Sequence, residues 1–269
     1  QGVYMDDMFI IPCLNLDTVA KIDPEGEVHS QLGILALREL VKRVAVIQHQ
    51  FKRYPRILQI HMTNAQLIPC FAFATSQLAW EALFGESPLQ ERYTLDNVQA
   101  EGIGRRLGVD SLALGGILRK ETPQELWQPE RERLSRTFLS MTLPHEVKVW
   151  NRVAPSDIDW KTVKPVYEKM NEFGYWRDDC EFIPYWENHP ALRVNSPDVI
   201  LSAYVRPGEI MLIVSNMKDS AEVSVSVDYR HFKLGEDSFC VNLETGEQED
   251  LKQLRVGKYD FKLVKISRR

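Results

Sequence analysis

The order of apolar and polar positions predicts alternating strands and helices over the first two thirds of the chain. The chain opens on a short apolar run, residues 2–5, which ends in two adjacent acids, Asp6 and Asp7. A continuous apolar run of this kind is typical of a parallel strand that is buried on both faces. Because this run stands at the very start, we expect the chain to begin inside a structural element and an N-terminal portion to be missing.

The same reading predicts further elements along the chain. Apolar residues recur at helical spacing from residue 30 to residue 53, with Ser30 as the expected N-cap. They are Leu32, Leu35, Leu40, Val44 and Ile47. Further strands are predicted at residues 57–61, 111–114 and 147–150, and further helices at residues 77–83, 94–107, 131–141 and 160–173. Asp157 or Asp159 would cap the last helix, and Gly174 would end it.

Four strand and helix units amount to half of an eight-stranded barrel, which takes about 250 residues as a whole. We therefore predict an α/β fold in which residues 1–185 form the C-terminal half of a TIM-type (β/α)8 barrel. From about residue 199 the apolar positions alternate with a period of two, as in antiparallel strands with one wet face. Residues 186–269 are accordingly predicted to form a small antiparallel β-sandwich domain.

Composition narrows the classes of function. The chain has 269 residues, of which 44% are hydrophobic and 26% charged, as in an ordinary globular protein. A formal net charge of -5 argues against a nucleic-acid partner, because no excess of Lys and Arg is available for a phosphate backbone. No stretch approaches the roughly 18 apolar residues of a membrane span. The four scattered cysteines show no zinc-binding spacing, and we predict no metal or other cofactor.

Asp6 and Asp7 are the first candidates for chemistry. Carboxylates at the C-terminal ends of parallel strands lie where α/β barrels hold their catalytic groups. Because side chains alternate along a strand, only one of the two adjacent acids can face the barrel mouth. The alternative is that both acids brace the loop that follows, since Asp is common at strand ends and turns.

His61 ends the second predicted strand and Asn64 follows it, so both could bind sugar hydroxyls at the same mouth. A lone histidine is otherwise more often a structural residue. Glu81 and Glu86 could supply the second carboxylate that glycosidic bond cleavage requires, although either could equally be a solvated helix residue. Tyr4 and Trp80 are the aromatic candidates for lining the sugar subsite.

Several of these segments together resemble the glycoside hydrolase family 123-like bacterial proteins. The resemblance rests on residues 2–7, on His61, on the stretch from Pro69 to Glu81, on residues 93–108 and on residues 202–216. It implies a glycosidase-type catalytic domain followed by a β-domain. Glu81 then matches a Gly-Glu pair of that group, with Trp80 in place of the glycine. The Asp6-Asp7 pair is not the adjacent Asp-Glu pair of family 123 itself, so that family's substrate-assisted mechanism is not carried over.

The sequence therefore predicts a glycoside hydrolase acting on a carbohydrate substrate. Asp6 or Asp7 would be the nucleophile or transition-state stabiliser and Glu81 the general acid. Glu86 is the alternative candidate for the general acid. Tyr4, His61, Asn64 and Trp80 would bind the sugar. The alternative is a non-catalytic carbohydrate-binding or structural protein on the same barrel. The oligomeric state and the location of the protein stay open, a secreted or periplasmic protein being one alternative.

Overall fold

The computed structural model describes residues 2–8, 10–18, 20–51, 56–61, 69, 72–83, 88–102, 109–116, 123–150, 158–235 and 237–268. The chain divides into two compact units. The first unit contains Gln1–Glu81 and Ala100–Ala113, and the second contains Ala82–Gln99 and Leu114–Arg269. The predicted domain boundary after residue 185 stays a prediction.

Five α-helices and eighteen strands are found in the described part of the chain. The helices are α1 Ile34–Gln50, α2 Leu89–Arg92, α3 Leu95–Glu101, α4 Trp127–Thr142 and α5 Trp160–Phe173. The strands up to residue 149 are β1 Gly2–Met5, β2 Pro12–Cys13, β3 Lys21–Ile22, β4 Val28–His29, β5 Gln31–Leu32, β6 Ile57–His61, β7 Ser76–Leu83, β8 Asp110–Gly116 and β9 Lys148–Val149. The remaining strands are β10 Glu181–Ile183, β11 Leu192–Val194, β12 Val199–Arg206, β13 Glu209–Asn216, β14 Ala221–Val223, β15 Val225–Val227, β16 Phe239–Asn242, β17 Leu254–Val256 and β18 Phe261–Ser267.

The first unit is built on a sheet in which β1, β6, β7 and β8 are neighbours, in the same order as along the chain. β1 pairs with β6, and β6 with β7, in parallel. Leu58 and Ile60 of β6 are fully buried and pack with Val41 and Ala45 of α1 in one apolar cluster. The parallel sheet confirms the α/β class. Closure of this sheet into a barrel is not tested by the described residues, so the half-barrel stays a prediction.

The helix predicted at residues 77–83 is wrong, because these residues form strand β7. Four consecutive side chains of β7, from Gln77 to Trp80, are at most 4% exposed. A helix on a sheet buries one stripe, whereas a central parallel strand buries both of its faces. A short apolar run fits either structure, and only its neighbours in the sheet decide between them.

Helix α1 is shorter and turned differently than predicted. It begins at Ile34 with Gly33 at the N-cap, so Ser30 does not cap it. Leu35 and Leu40, assigned to the apolar face by their spacing, are 75% and 49% exposed. The helix instead buries Val41, Ala45 and Gln48, and the first two pack with Leu58 and Ile60 of the sheet.

The second unit holds the predicted antiparallel structure. Five strands form a sheet in the order β10-β12-β13-β18-β16, and two-stranded ladders join β11 to β15 and β14 to β17. Helix α4 packs against α5 and against β13 and β18. Helix α5 has the predicted bounds, with Asp159 at the N-cap position and Gly174 in the left-handed region at its end. None of the described helices has the length and apolar character that crossing a membrane requires.

Candidate functional site

The candidate site lies in the first unit, where β1 and β6 end side by side. Their parallel register pairs Met5 with Ile60, so the next residue of each strand, Asp6 and His61, lie beside each other. Asp6 Oδ1 is 2.7 Å from His61 Nδ1, a distance typical of a charge-assisted hydrogen bond. The side chain of His61 is 9% exposed and that of Asp6 is 62% exposed. A buried imidazole is thus held against an accessible carboxylate.

Asp6 is surrounded by hydrogen-bond donors. Besides the His61 contact, its Oδ1 accepts hydrogen bonds from the backbone N–H of Asp7 at 3.0 Å and from the Tyr4 hydroxyl at 3.1 Å. The hydrogen bond with His61 is the largest cause that holds the pKa of Asp6 below its ordinary value. The two other hydrogen bonds and the charge of His61 add to it, against the opposing effect of desolvation. Asp6 is therefore ionised at neutral pH.

The structure brings Asp6, and not Asp7, to His61. Strand β1 ends at Met5, so neither acid is inside the strand whose alternation was expected to separate them. Asp7 instead adopts a φ of +50°, which turns the chain and lets its N–H donate to Asp6. A left-handed turn thus separates Asp6, the acid that contacts His61, from Asp7.

Glu81 reaches the opposite side of the same imidazole. It lies on β7, three residues beyond Leu78, the partner of His61 in the parallel register. Glu81 Oε2 is 3.5 Å from His61 Nε2, and its side chain is 30% exposed. The contacts on the two ring nitrogens, which are 2.7 Å and 3.5 Å long, limit the separation of Asp6 Oδ1 and Glu81 Oε2 to less than about 9 Å. Both the roughly 5 to 5.5 Å carboxyl spacing of retaining glycosidases and much of the 6.5 to 9.5 Å range of inverting ones lie within this limit.

Tyr4 completes this group through its hydroxyl. The hydroxyl oxygen lies 3.0 Å from His61 Nδ1 and donates to Asp6, and the Tyr4 and His61 rings stack with centroids 6.4 Å apart. Burial, followed by the hydrogen bond to Asp6 and its charge, raises the pKa of Tyr4 well above its ordinary value. Tyr4 is consequently a neutral O–H donor and not a phenolate nucleophile.

The other sequence-predicted site residues are placed differently. Trp80 precedes Glu81 on β7, and its side chain is 2% exposed in the core of the unit. Its ring therefore offers almost no face to a sugar. Asn64 and Glu86 lie outside the described residues.

One contact of the site was not predicted. The backbone N–H of Met8 donates to the carbonyl oxygen of His61 at 2.9 Å, and the Met8 side chain is buried. This bond ties the loop after β1 to the end of β6 and holds Asp6 at the imidazole. The only sequence signal for this hydrogen bond was that Met8 and His61 both lie near the ends of strands predicted to be parallel.

In the described ranges no group of three or more His, Cys, Asp or Glu side chains is placed to hold a metal ion. Cys180 and Cys240 are buried and Cys13 is half-buried, and none of these three forms a disulfide; Cys70 lies outside the described residues.

Comparison with known proteins adds solved structures only. No protein-family model and no curated protein matches the chain. Similar solved structures include a noncanonic maltogenic α-amylase from Thermotoga neapolitana, with 11% identity and a TM-score of 0.48 over 86% of this chain. They also include a trehalose-6-phosphate hydrolase from Bacillus licheniformis, with 10% identity and a TM-score of 0.45 over 86% of this chain. An α-amylase from Geobacillus thermoleovorans, complexed with acarbose, has 8% identity and a TM-score of 0.46 over 87% of this chain.

The chain spans 59%, 59% and 57% of the length of these three structures. At these identities and TM-scores the likeness carries no assignment of activity. The function of the site therefore depends on its own residues.

Proposed function

We propose that this chain is a glycoside hydrolase-like protein that cleaves glycosidic bonds with Asp6 and Glu81 as its carboxylate pair. The observation that carries the proposal is the Asp6–His61–Glu81 arrangement, in which one imidazole contacts a carboxylate on each side. Glycosidic bond cleavage requires two carboxyl groups in different roles within a short distance.

Asp6 has the properties of the nucleophile or transition-state stabiliser. Its pKa is held down, chiefly by the hydrogen bond with His61, so that it carries the negative charge that opposes a developing oxocarbenium ion. It is also accessible to a substrate, with 62% of its side chain exposed. Glu81 on the other side of the ring is the proposed general acid.

His61 is proposed as the positioning residue between them. When its Nδ1–H is donated to Asp6, Nε2 of the neutral ring can accept the proton of Glu81, and Nε2 of the charged ring can donate one to it. The ring thereby offers a proton path to Glu81 and fixes the position of Asp6. The Tyr4 hydroxyl supports the same carboxylate.

The resemblance to family 123-like proteins belongs to this proposal, as does a secreted or periplasmic location. A non-catalytic carbohydrate-binding protein is the second candidate. It is favoured by the exposure of Asp6, because electrostatic catalysis is strongest where water is excluded. The two candidates differ in turnover and not in binding.

The test compares hydrolysis of a panel of 4-nitrophenyl glycosides and polysaccharides by the wild-type chain and by Asp6→Asn and Glu81→Gln. We expect each variant to lose on the order of 10²- to 10⁴-fold in kcat. Asp17→Asn, which changes an exposed acid of the same unit, is the matched control and should keep full activity. Equal activity of the two site variants and the control would contradict the pairing. Glycan binding with no turnover of any substrate would favour the non-catalytic candidate.

A further inference from the structure

The second unit contains a cavity of about 510 Å³ beside the start of the antiparallel sheet. It lies around the turn that follows β10, strand β11 and the start of β12, and none of the candidate-site residues of the first unit lines it. Its volume is within the roughly 300 to 1,000 Å³ of small-molecule sites. Half of its wall is apolar, with Ile183, Leu192 and Leu201 among the lining residues.

The charge of this wall is the opposite of that of the whole chain. Arg193 lines the cavity, and among the described lining residues there is no Asp or Glu. The chain as a whole carries a formal net charge of -5. A cleft lined by one sign of charge favours a ligand of the other sign, here an anion.

Arg193 is available to such a ligand. It is exposed on β11, and within the described part of the chain its guanidinium makes no ion pair or hydrogen bond. Arg136 and Arg255 of the same unit, in contrast, are each paired with carboxylates. A guanidinium presents five N–H donors in a planar fork that matches a carboxylate in a bidentate manner.

Neutral hydrogen-bonding groups lie on the same wall. His189 Nδ1 accepts the backbone N–H of Ala191 at 3.2 Å, which leaves Nε2–H as the donor of the neutral ring. The Ser196 oxygen accepts from the Asp198 N–H and keeps its own O–H to donate, and Asn188 adds an amide. Such groups suit hydroxyls, which both donate and accept hydrogen bonds.

We propose that this cavity binds a small acidic sugar of the hexuronate class, with the carboxylate on Arg193 and the ring hydroxyls on His189, Asn188 and Ser196. A sugar ring also has apolar C–H faces, which suit the apolar half of the wall. The inference goes beyond the proposed function, because it concerns binding at a separate place in the chain and requires no bond cleavage.

The test is calorimetric titration of the full chain with D-glucuronate, D-galacturonate, D-glucose and acetate. We expect at least one hexuronate to bind tenfold or more tightly than glucose, which lacks the carboxylate, and than acetate, which lacks the hydroxyls. Arg193→Gln should weaken hexuronate binding at least tenfold. Arg230→Gln removes another exposed arginine of the unit and should leave the affinity unchanged, as should Asp6→Asn.

Three results would overturn the inference. They are no binding of either hexuronate at millimolar concentration, unchanged affinity in a folded Arg193→Gln chain, and acetate binding as tight as hexuronate binding. Loss of binding in Asp6→Asn would also overturn it, because the ligand would then occupy the candidate site of the first unit. Failure of hydrolysis with intact hexuronate binding would instead contradict only the proposed function.

Discussion

Arg136 on α4 allows a direct test of how burial determines what an ion pair of the second unit contributes to the free energy of unfolding. Its guanidinium donates to Glu244 Oε1 at 2.7 Å and to Asp260 Oδ1 at 2.8 Å, and it lies 4.6 Å from the centroid of the Phe261 ring. The side chains of Arg136, Glu244 and Asp260 are 27%, 22% and 32% exposed. Arg136→Met removes the charge, keeps most of the apolar stem, and leaves two half-buried carboxylates without the guanidinium that both contact.

The expected cost follows from this partial burial. Removing one partner of a fully buried ion pair costs about 3 to 5 kcal/mol, and exposed pairs contribute about 0 to 1 kcal/mol. Because all three side chains keep some exposure, we expect a loss of about 3 kcal/mol in the free energy of unfolding. For a unit of this size that corresponds to a fall in Tm of roughly 6 to 12 °C.

Urea unfolding followed by circular dichroism measures the change. Arg255→Met is the matched control: Arg255 pairs with Glu222 at the same 2.8 Å, but the two side chains are 84% and 48% exposed. It should cost less than about 1 kcal/mol. Equal losses of stability in the two variants would contradict the claim that burial determines how much these ion pairs stabilise the unit.

Two further predictions concern stability. Burial holds the pKa of His145 at about 4, against 6.5 for the free side chain, so the unfolded chain binds more protons between these values. Stability should fall by up to about 3 kcal/mol as the pH drops through this window, and persistence of this slope in His145→Gln would contradict the assignment. Gly174 has a φ of +83°, and an added Cβ would lie 2.7 Å from Arg177 Cδ. Gly174→Ala should lower the free energy of unfolding by about 1 to 2 kcal/mol, measured by thermal unfolding. Gly208→Ala should cost less, because Gly208 has a similar φ of +78° but open space around it. Equal losses would show that the contact with Arg177 contributes nothing to the cost.

The sequence correctly predicted those elements whose hydrophobic pattern is typical of one kind of secondary structure only. The bounds of β6 and α5 agree with the prediction, because a strand of alternating burial and an amphipathic helix ended by Gly174 each carry their own period. The antiparallel strands of the second unit follow for the same reason. The helix predicted in place of β7 shows the limit, since a short apolar run does not reveal how many of its faces are covered.

In the candidate site, too, some features could be predicted from local sequence and others could not. That acids and a histidine stand at strand ends could be predicted from the sequence, because an element and its last residue are local features. Which of them meet was decided by the parallel register of β1, β6 and β7 and by the left-handed turn at Asp7.

Local patterns in the sequence are thus sufficient to predict the α/β class, the antiparallel second part and the kinds of side chain at the site. That Asp6 is the acid at His61, that Glu81 contacts the same ring and that the Trp80 ring is buried became known from the folded chain alone. This difference arises because periodicity is a property of neighbours along the chain. Contacts between strands depend instead on hydrogen-bond register between residues 17 to 55 positions apart, which no single segment encodes.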